Sequence, residues 1–349
     1  MLRLVAIVIA LELAAFAAES IAQTGPAAHG TLQVGIRIAS SGTSNEAYAK
    51  FQLSLDAAMR SSRRPRDWAL AAVTYPQPER TLGAPSPRDD GNLFRAQQAA
   101  PGDALVQWLV ANHADRTTPA GEAQAAAAID ALTRIEPDNG APWMLALENA
   151  TKRGDTSAAD EAITRMAESP RFDDHFADVV HAWIDVYDRH PPPSLRTDEI
   201  DKYDPGFVAA FAHAAAVAVP SYRSVVQACK PASGQILAVD RRAHCEKAGH
   251  LMLYRGTTLI ARHIGFVLVR NVDALTDADR AAARDLDWYV FNGATEDPSI
   301  SDALAHEDDW RRLDDEIDVI KNRLRRSHLA AAAPDGWSPH ADAATPAAR

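Results

Sequence analysis

Residues 125–170 read AAAAIDALTRIEPDNGAPWMLALENATKRGDTSAADEAITRMAESP, and their reading decides the fold. Ala125, Ile129 and Leu132 recur at i, i+4 and i+7, one apolar stripe along a helix. Pro137 cannot continue that helix and pushes Glu136 out of the α region. Asp138, Asn139 and Gly140 supply turn chemistry, and Pro142 opens a second helix in its first turn, where a missing N–H costs nothing. Trp143, Ala146, Leu147 and Ala150 are expected to face inward. Lys152 and Arg153 place positive charge at the carbonyl end, and Gly154 closes the helix. Asp155 or Thr156 caps a third helix with Ala159, Ile163 and Met166 inward, which Pro170 stops. Helices joined by such short turns form antiparallel hairpins. The expected fold class is all-α, stacked antiparallel helical hairpins.

These spacings resemble the tetratricopeptide repeat. Gly154 follows Trp143 by eleven residues, Ala159 follows Gly154 by five, and Ile163 follows Ala159 by four. Upstream, Ala125, Ile129, Leu132 and Pro137 keep the same second-helix spacing, and Pro137 leads to Trp143 by six. Residues 131–135 echo 162–166, and Trp108 precedes Trp143 by 35, near the family period of about 34. The resemblance covers roughly residues 104–170. It departs where Ala150 replaces the usual aromatic and where Pro170 arrives one residue early. It implies a helical-repeat array, regular or irregular, similar to exported bacterial proteins with degenerate repeats.

Working outward toward the N-terminus, Asp103 caps a helix carrying Leu105, Trp108 and Leu109, and 93–99 reads as a short apolar turn. Residues 75–91, with Pro76, Pro78, Pro85 and Pro87, read as a loop. Before it lie a helix near Trp68 and a helix over 44–60 with Ala47, Phe51, Leu55 and Ala58 inward. Residues 32–38 alternate like a lone strand.

Toward the C-terminus, Asp173 to Arg189 is expected to be a helix with a wide face of Phe176, Val179, Val180, Trp183, Ile184 and Tyr187. Phe207 to Val219 carries no charge and reads as a buried core helix. Asp240 to Val272 forms a further hairpin turning at Gly256, and Thr276 caps a helix to Phe291. Ser299 or Ser301 is expected to cap one last helix to Arg326, striped by Leu313, Ile317, Ile320 and Leu324. The resulting division is a leader at 1–22, an N-terminal helical segment at 23–100, hairpins at 101–190, a C-terminal helical region at 191–326 and a disordered tail at 327–349.

Met1 to Ala22 has the make-up of a secretory signal: Arg3, the apolar run Leu4 to Leu11, and Ser20-Ile21-Ala22 before Gln23. That run is far shorter than the roughly 20 residues a membrane span needs. Export to the periplasm or beyond is therefore expected. In such a compartment Cys229 and Cys245, the two cysteines of the chain, are expected to pair. The net charge of −11 argues against nucleic acid as the natural partner, whose phosphates require a basic footprint.

Chemistry is harder to find. His306-Glu307 begins a zinc-protease signature, but Trp310 stands where the second histidine is required. There is no nucleophile elbow, phosphate loop, dinucleotide fingerprint or calcium loop, and no motif implies a cofactor. His244, Cys245, Glu246, His250 and His263 fall close in sequence, but His244 and His250 point apart and Cys245 is assigned to the disulfide. His175 and His181 fail the same one-face test, and the acidic pairs 173–174, 308–309 and 314–315 read as helix caps. The expectation is a non-catalytic module binding a protein or peptide of the cell envelope, since helical arrays present extended surfaces. An exported hydrolase without a recognisable motif and a structural protein without ligand are the alternatives.

Overall fold

Local capping chemistry starts and stops the helices where the sequence asks. A computed structural model describes residues 42–74, 90–193, 204–231, 236–293 and 307–338. Fifteen helices lie in these residues: α1 Gly42–Ser61, α2 Pro65–Val73, α3 Asp90–Ala99, α4 Ala104–His113, α5 Pro119–Ile135, α6 Gly140–Lys152, α7 Thr156–Glu168 and α8 Phe176–Arg189, followed by α9 Pro205–Val217, α10 Arg223–Ala228, α11 Val239–Arg255, α12 Leu259–Asn271, α13 Asp277–Gly293, α14 Glu307–Trp310 and α15 Glu316–Arg326. Two isolated bridges aside, there is no strand among the described residues. The expected leader, the alternating stretch 32–38 and the loop from 75 to 89 lie outside them.

Asp103, Asn139 and Asp155 each accept a backbone N–H at the start of α4, α6 and α7. At the other end of α6, Gly154 adopts φ +69°, a conformation open to glycine at no steric cost. Its N–H donates to Thr151 O, and the N–H of Asp155 reaches back to Ala150 O, so two otherwise orphaned carbonyls are satisfied.

The pairs α4/α5, α6/α7, α8/α9 and α11/α12 pack as neighbours around one continuous core. Ala125, Ile129, Leu132, Leu147, Ala159, Ile163 and Met166 are all buried in it. Trp143 is only half-buried and packs at the margin of that core, while Met144 and Leu145 take the centre. The pentapeptide echo also fails in burial, because Met166 is fully buried and Ile135 is 37% exposed. Pro137 and Gly154 sit at exposed turns.

The array is irregular. Hairpin α6/α7 leans on α11 through α7, and α8 turns instead toward α2 and α14. An ion pair pins that turn: Arg189 of α8 grips the buried Asp67 of α2 with both terminal nitrogens, at 2.7 and 3.1 Å.

Residues 93–99 belong to α3, a full helix rather than a turn. Ala47 is exposed, and Met59 joins Leu55 in the core instead. Helix α9 is buried through its first half, but Ala215 and Ala216 face outward. The long last helix is interrupted between Trp310 and Glu316, because Asp315 takes an extended conformation and its carboxylate caps a new start by accepting Ile317 N at 2.7 Å. Residues 327–338 are not a disordered tail. Trp288 Nε1 donates to Ala330 O, Tyr289 Oη to Ala331 O, and Trp337 packs edge-on against Trp288.

Cys229, at the end of α10, is bonded to Cys245 in the second turn of α11, with Cα atoms 5.5 Å apart and both residues fully buried. Closing a loop of this length contributes about 3 kcal/mol in the chain-entropy picture. The double variant Cys229→Ala/Cys245→Ala is expected to lose about that much unfolding free energy in a urea titration. Mild reductant should leave the folded protein unchanged, because neither sulfur is reachable until the chain opens.

Candidate functional site

The densest polar cluster lies where four turns meet: 136–140 between α5 and α6, 169–175 between α7 and α8, 256–258 between α11 and α12, and the start of α15. Backbone hydrogen bonds stitch them in a row. Gly140 N donates to Arg171 O, Thr257 N to Phe172 O, and Glu316 N to Thr257 O. Asn139, fully buried, is the tie between the first two turns. Its Nδ2 donates to Glu136 Oε2 and Asp173 O, both at 2.9 Å, and its Oδ1 accepts the N–H groups of Ala141 and Asp173.

At the centre is His175, 1% exposed and held at φ +58° at the entry to α8. Its Nδ1 lies 2.8 Å from Asp178 Oδ2 and its Nε2 3.1 Å from Glu136 Oε2, while the ring packs on Trp108 at a centroid distance of 5.0 Å. Burial alone disfavours the imidazolium, but its hydrogen bonds to Asp178 and Glu136 outweigh it and hold the pKa at about 10. Burial pushes Glu136 the other way, and His175, Asn139 and Arg171 overcome it to bring that carboxyl down to about 2. Arg171 lies over the cluster, bonded to Asp138 at 3.1 Å and to Asp173 at 3.4 Å.

Next to it, buried Asp174 accepts Tyr222 Oη at 2.6 Å and Thr258 Oγ1 at 2.7 Å, which ties α10 and α12 into the same node. Glu316 Oε2 accepts Leu259 N at 2.8 Å. Burial, with the Asp174 and Asp315 charges adding to it, lifts the Glu316 carboxyl to about 7.

Asp173, His175 and Asp178 bring one ligand atom each within 4.8 Å of one another, a spacing compatible with a metal ion. The chemistry of the donor set argues otherwise. A metal-bound histidine must be neutral at the ligating nitrogen. Here both ring nitrogens face carboxylates, and the proton is held to about pH 10. The imidazolium itself is the cation that the carboxylates surround.

The histidines near the disulfide do not converge. His244 Nδ1 meets Thr164 Oγ1 at 3.1 Å, His250 Nε2 meets Asp279, and His263 Nδ1 donates to Leu259 O at 2.9 Å. His181 Nε2 donates to Trp310 O at 2.6 Å. Helical face-counting set His175 aside, although it is the most tightly engaged histidine of the described residues. That test presumes helical geometry from Asp173 onward, whereas 173–175 form a turn. The usable signal was Asp173-Asp174-His175 itself, a polar run just ahead of an apolar helix, where turn chemistry is concentrated.

The node is closed. An open depression of about 370 Å³ lies instead between the α3–α4 turn and the end of α5, lined by Pro101, Gly102, Ala131, Arg134 and Ile135. It joins the exposed apolar side chain of Ile135 to the guanidinium of Arg134, a pairing suited to an apolar residue with a neighbouring carboxylate or carbonyl. Among the described residues no helix is long and apolar enough to cross a membrane. Compared with known proteins, the chain gives no significant match to a family model, to a curated protein or to a solved structure.

Proposed function

We propose that this chain is an exported, non-catalytic, tetratricopeptide-like helical array that binds a protein or peptide of the cell envelope. The observation that carries the reading is the run of helical hairpins, α4/α5 and α6/α7 in tandem, over the stretch whose residue spacing resembles the repeat. The buried disulfide suits an oxidising compartment. The open depression beside Ile135 and Arg134 is the part of this surface assigned to the ligand.

Tagged full-length protein expressed with its leader is expected in the envelope fraction, with a mature N-terminus at Gln23. Capture from envelope extract followed by mass spectrometry should return one reproducible partner. Ile135→Asp, which charges the depression without touching the core, should reduce that capture at least about tenfold, the effect of losing roughly 1.4 kcal/mol of binding. Capture of nothing, together with turnover in a screen of generic hydrolase substrates, would replace this reading by the exported-hydrolase alternative.

A further inference from the structure

A second polar feature lies further along α8, at Trp183. A small cavity of about 10 Å³ is lined by Gln52, Leu55, Asp56, Met59, Thr74, Trp183 and His213, drawn from α1, the end of α2, α8 and α9. Three buried polar atoms on residues of its wall have no hydrogen-bond partner among the described residues: Trp183 Nε1, Asp56 Oδ1 and Thr74 Oγ1. Trp183 is 0% exposed, so its indole N–H has no access to bulk solvent. Burying such a group unpaired is costly, and three on one cavity is an unusual concentration.

We propose that this cavity is a binding site for a single water molecule that bridges α8 to α1 and to the end of α2. Volume and chemistry agree on the ligand. A buried water needs roughly 10–15 Å³ of such space and two to four polar partners. The indole N–H can only donate, which excludes an ammonium or metal cation. The Asp56 carboxylate can only accept, which excludes chloride or another anion. A neutral molecule that donates and accepts at once satisfies both, and at this size that is water.

The neighbouring groups complete the arrangement. Asp56 Oδ2 already takes Arg60 Nε at 2.7 Å, which leaves Oδ1 for the water. His213 Nδ1 lies 2.8 Å from Ala209 O, an atom with lone pairs only, so Nδ1 carries the proton and Nε2 is a bare acceptor. Burial pushes the His213 pKa down and keeps it neutral. The water thus accepts from Trp183 and donates to Asp56, and Thr74 or His213 takes its remaining valence.

In a crystal structure of the full chain at a resolution that places solvent, one ordered peak is expected about 2.7–3.2 Å from Trp183 Nε1 and from Asp56 Oδ1. Asp56→Asn, which keeps a polar atom at that place, should retain the peak, and Trp183→Phe should lose it. In solution the Trp183 indole proton, identified by its absence from the spectrum of Trp183→Phe, should cross-relax with a long-lived water. The proposal is overturned by an indole N–H bonded directly to a protein oxygen, by density for an ion or organic molecule, or by a folded protein whose Trp183 proton shows no water contact. Should Trp183→Phe not fold, the wild-type peak and the Asp56→Asn structure decide alone.

Discussion

Replacing Gly265 by alanine is expected to lower the unfolding free energy by about 3 kcal/mol or more, the upper range for overpacking a tight interior. Elsewhere in a helix the same change stabilises, since glycine costs up to about 1 kcal/mol against alanine. Here the sign reverses because α11 and α12 meet backbone to backbone. A Cβ on Gly265 would lie 2.3 Å from Leu253 N and 2.6 Å from Gly249 O, and neither atom can rotate away. The two helices would have to separate, loosening Met252 and Leu268, both fully buried. Gly249→Ala meets the side chain of Val269 first, at 2.7 Å, so its cost should be smaller. Urea titrations of the two variants check the order; equal stability of Gly265→Ala and wild type would show that the helices do not approach this closely.

A loss of about 3–5 kcal/mol is expected for His175→Asn, the range for removing one partner from a buried ion pair. Asparagine tolerates the left-handed conformation found at 175, so the variant removes the charge with little added backbone strain. Glu136 and Asp178 would then face each other's fields, and Asp173's, without the cation between them. The pH dependence has a defined sign. His175 has a folded pKa raised from 6.5 to about 10, so its stabilisation is complete below 6.5 and is lost as pH rises toward 10. Glu136 is lowered from 4.5 to about 2, so its share is present above 4.5 and lost as pH falls toward 2. Wild-type stability should therefore decline on the alkaline side above about pH 6.5, and the difference from His175→Asn should shrink along it. A gap between the two proteins that stays constant from pH 6 to about 10 would show that His175 does not act through its charge.

These two expectations bear differently on the proposed binding role. The Gly249–Gly265 crossing holds the C-terminal hairpin together, and the His175 node joins that hairpin to the repeat-like one through Asp174, Thr258 and Glu316. A ligand seated beside Ile135 rests on α5, whose C-terminal Glu136 is itself part of the node. Ile135→Asp is accordingly expected to affect capture with little change in stability, whereas His175→Asn is expected to affect both.

Much of the molecule was legible from neighbours in the chain. Asp103, Asp155 and Thr276 cap helices because each side-chain oxygen reaches an N–H three residues on. Pro137 and Gly154 end helices through their own backbone restrictions or freedom, which no distant contact needs to supply. The stripe Ala159, Ile163 and Met166 is buried because a helical period puts these residues on one side of any helix they form.

What lay beyond reach was decided between residues far apart. Trp143 had the right spacing for a core position, yet it stands at the margin of the core while its neighbours Met144 and Leu145 are buried. His175 became a buried cation only when Glu136, 39 residues earlier, arrived beside it. Residues 327–338 gained order from α13, over sequence separations of 42 and 48. The amino-acid sequence alone thus determined where α6 and α7 begin and end, since capping and helical period act within a few residues. Only the tertiary structure decided which hairpin leans on which and which charges are buried, since desolvation and ion pairing depend on neighbours that the chain brings together by folding.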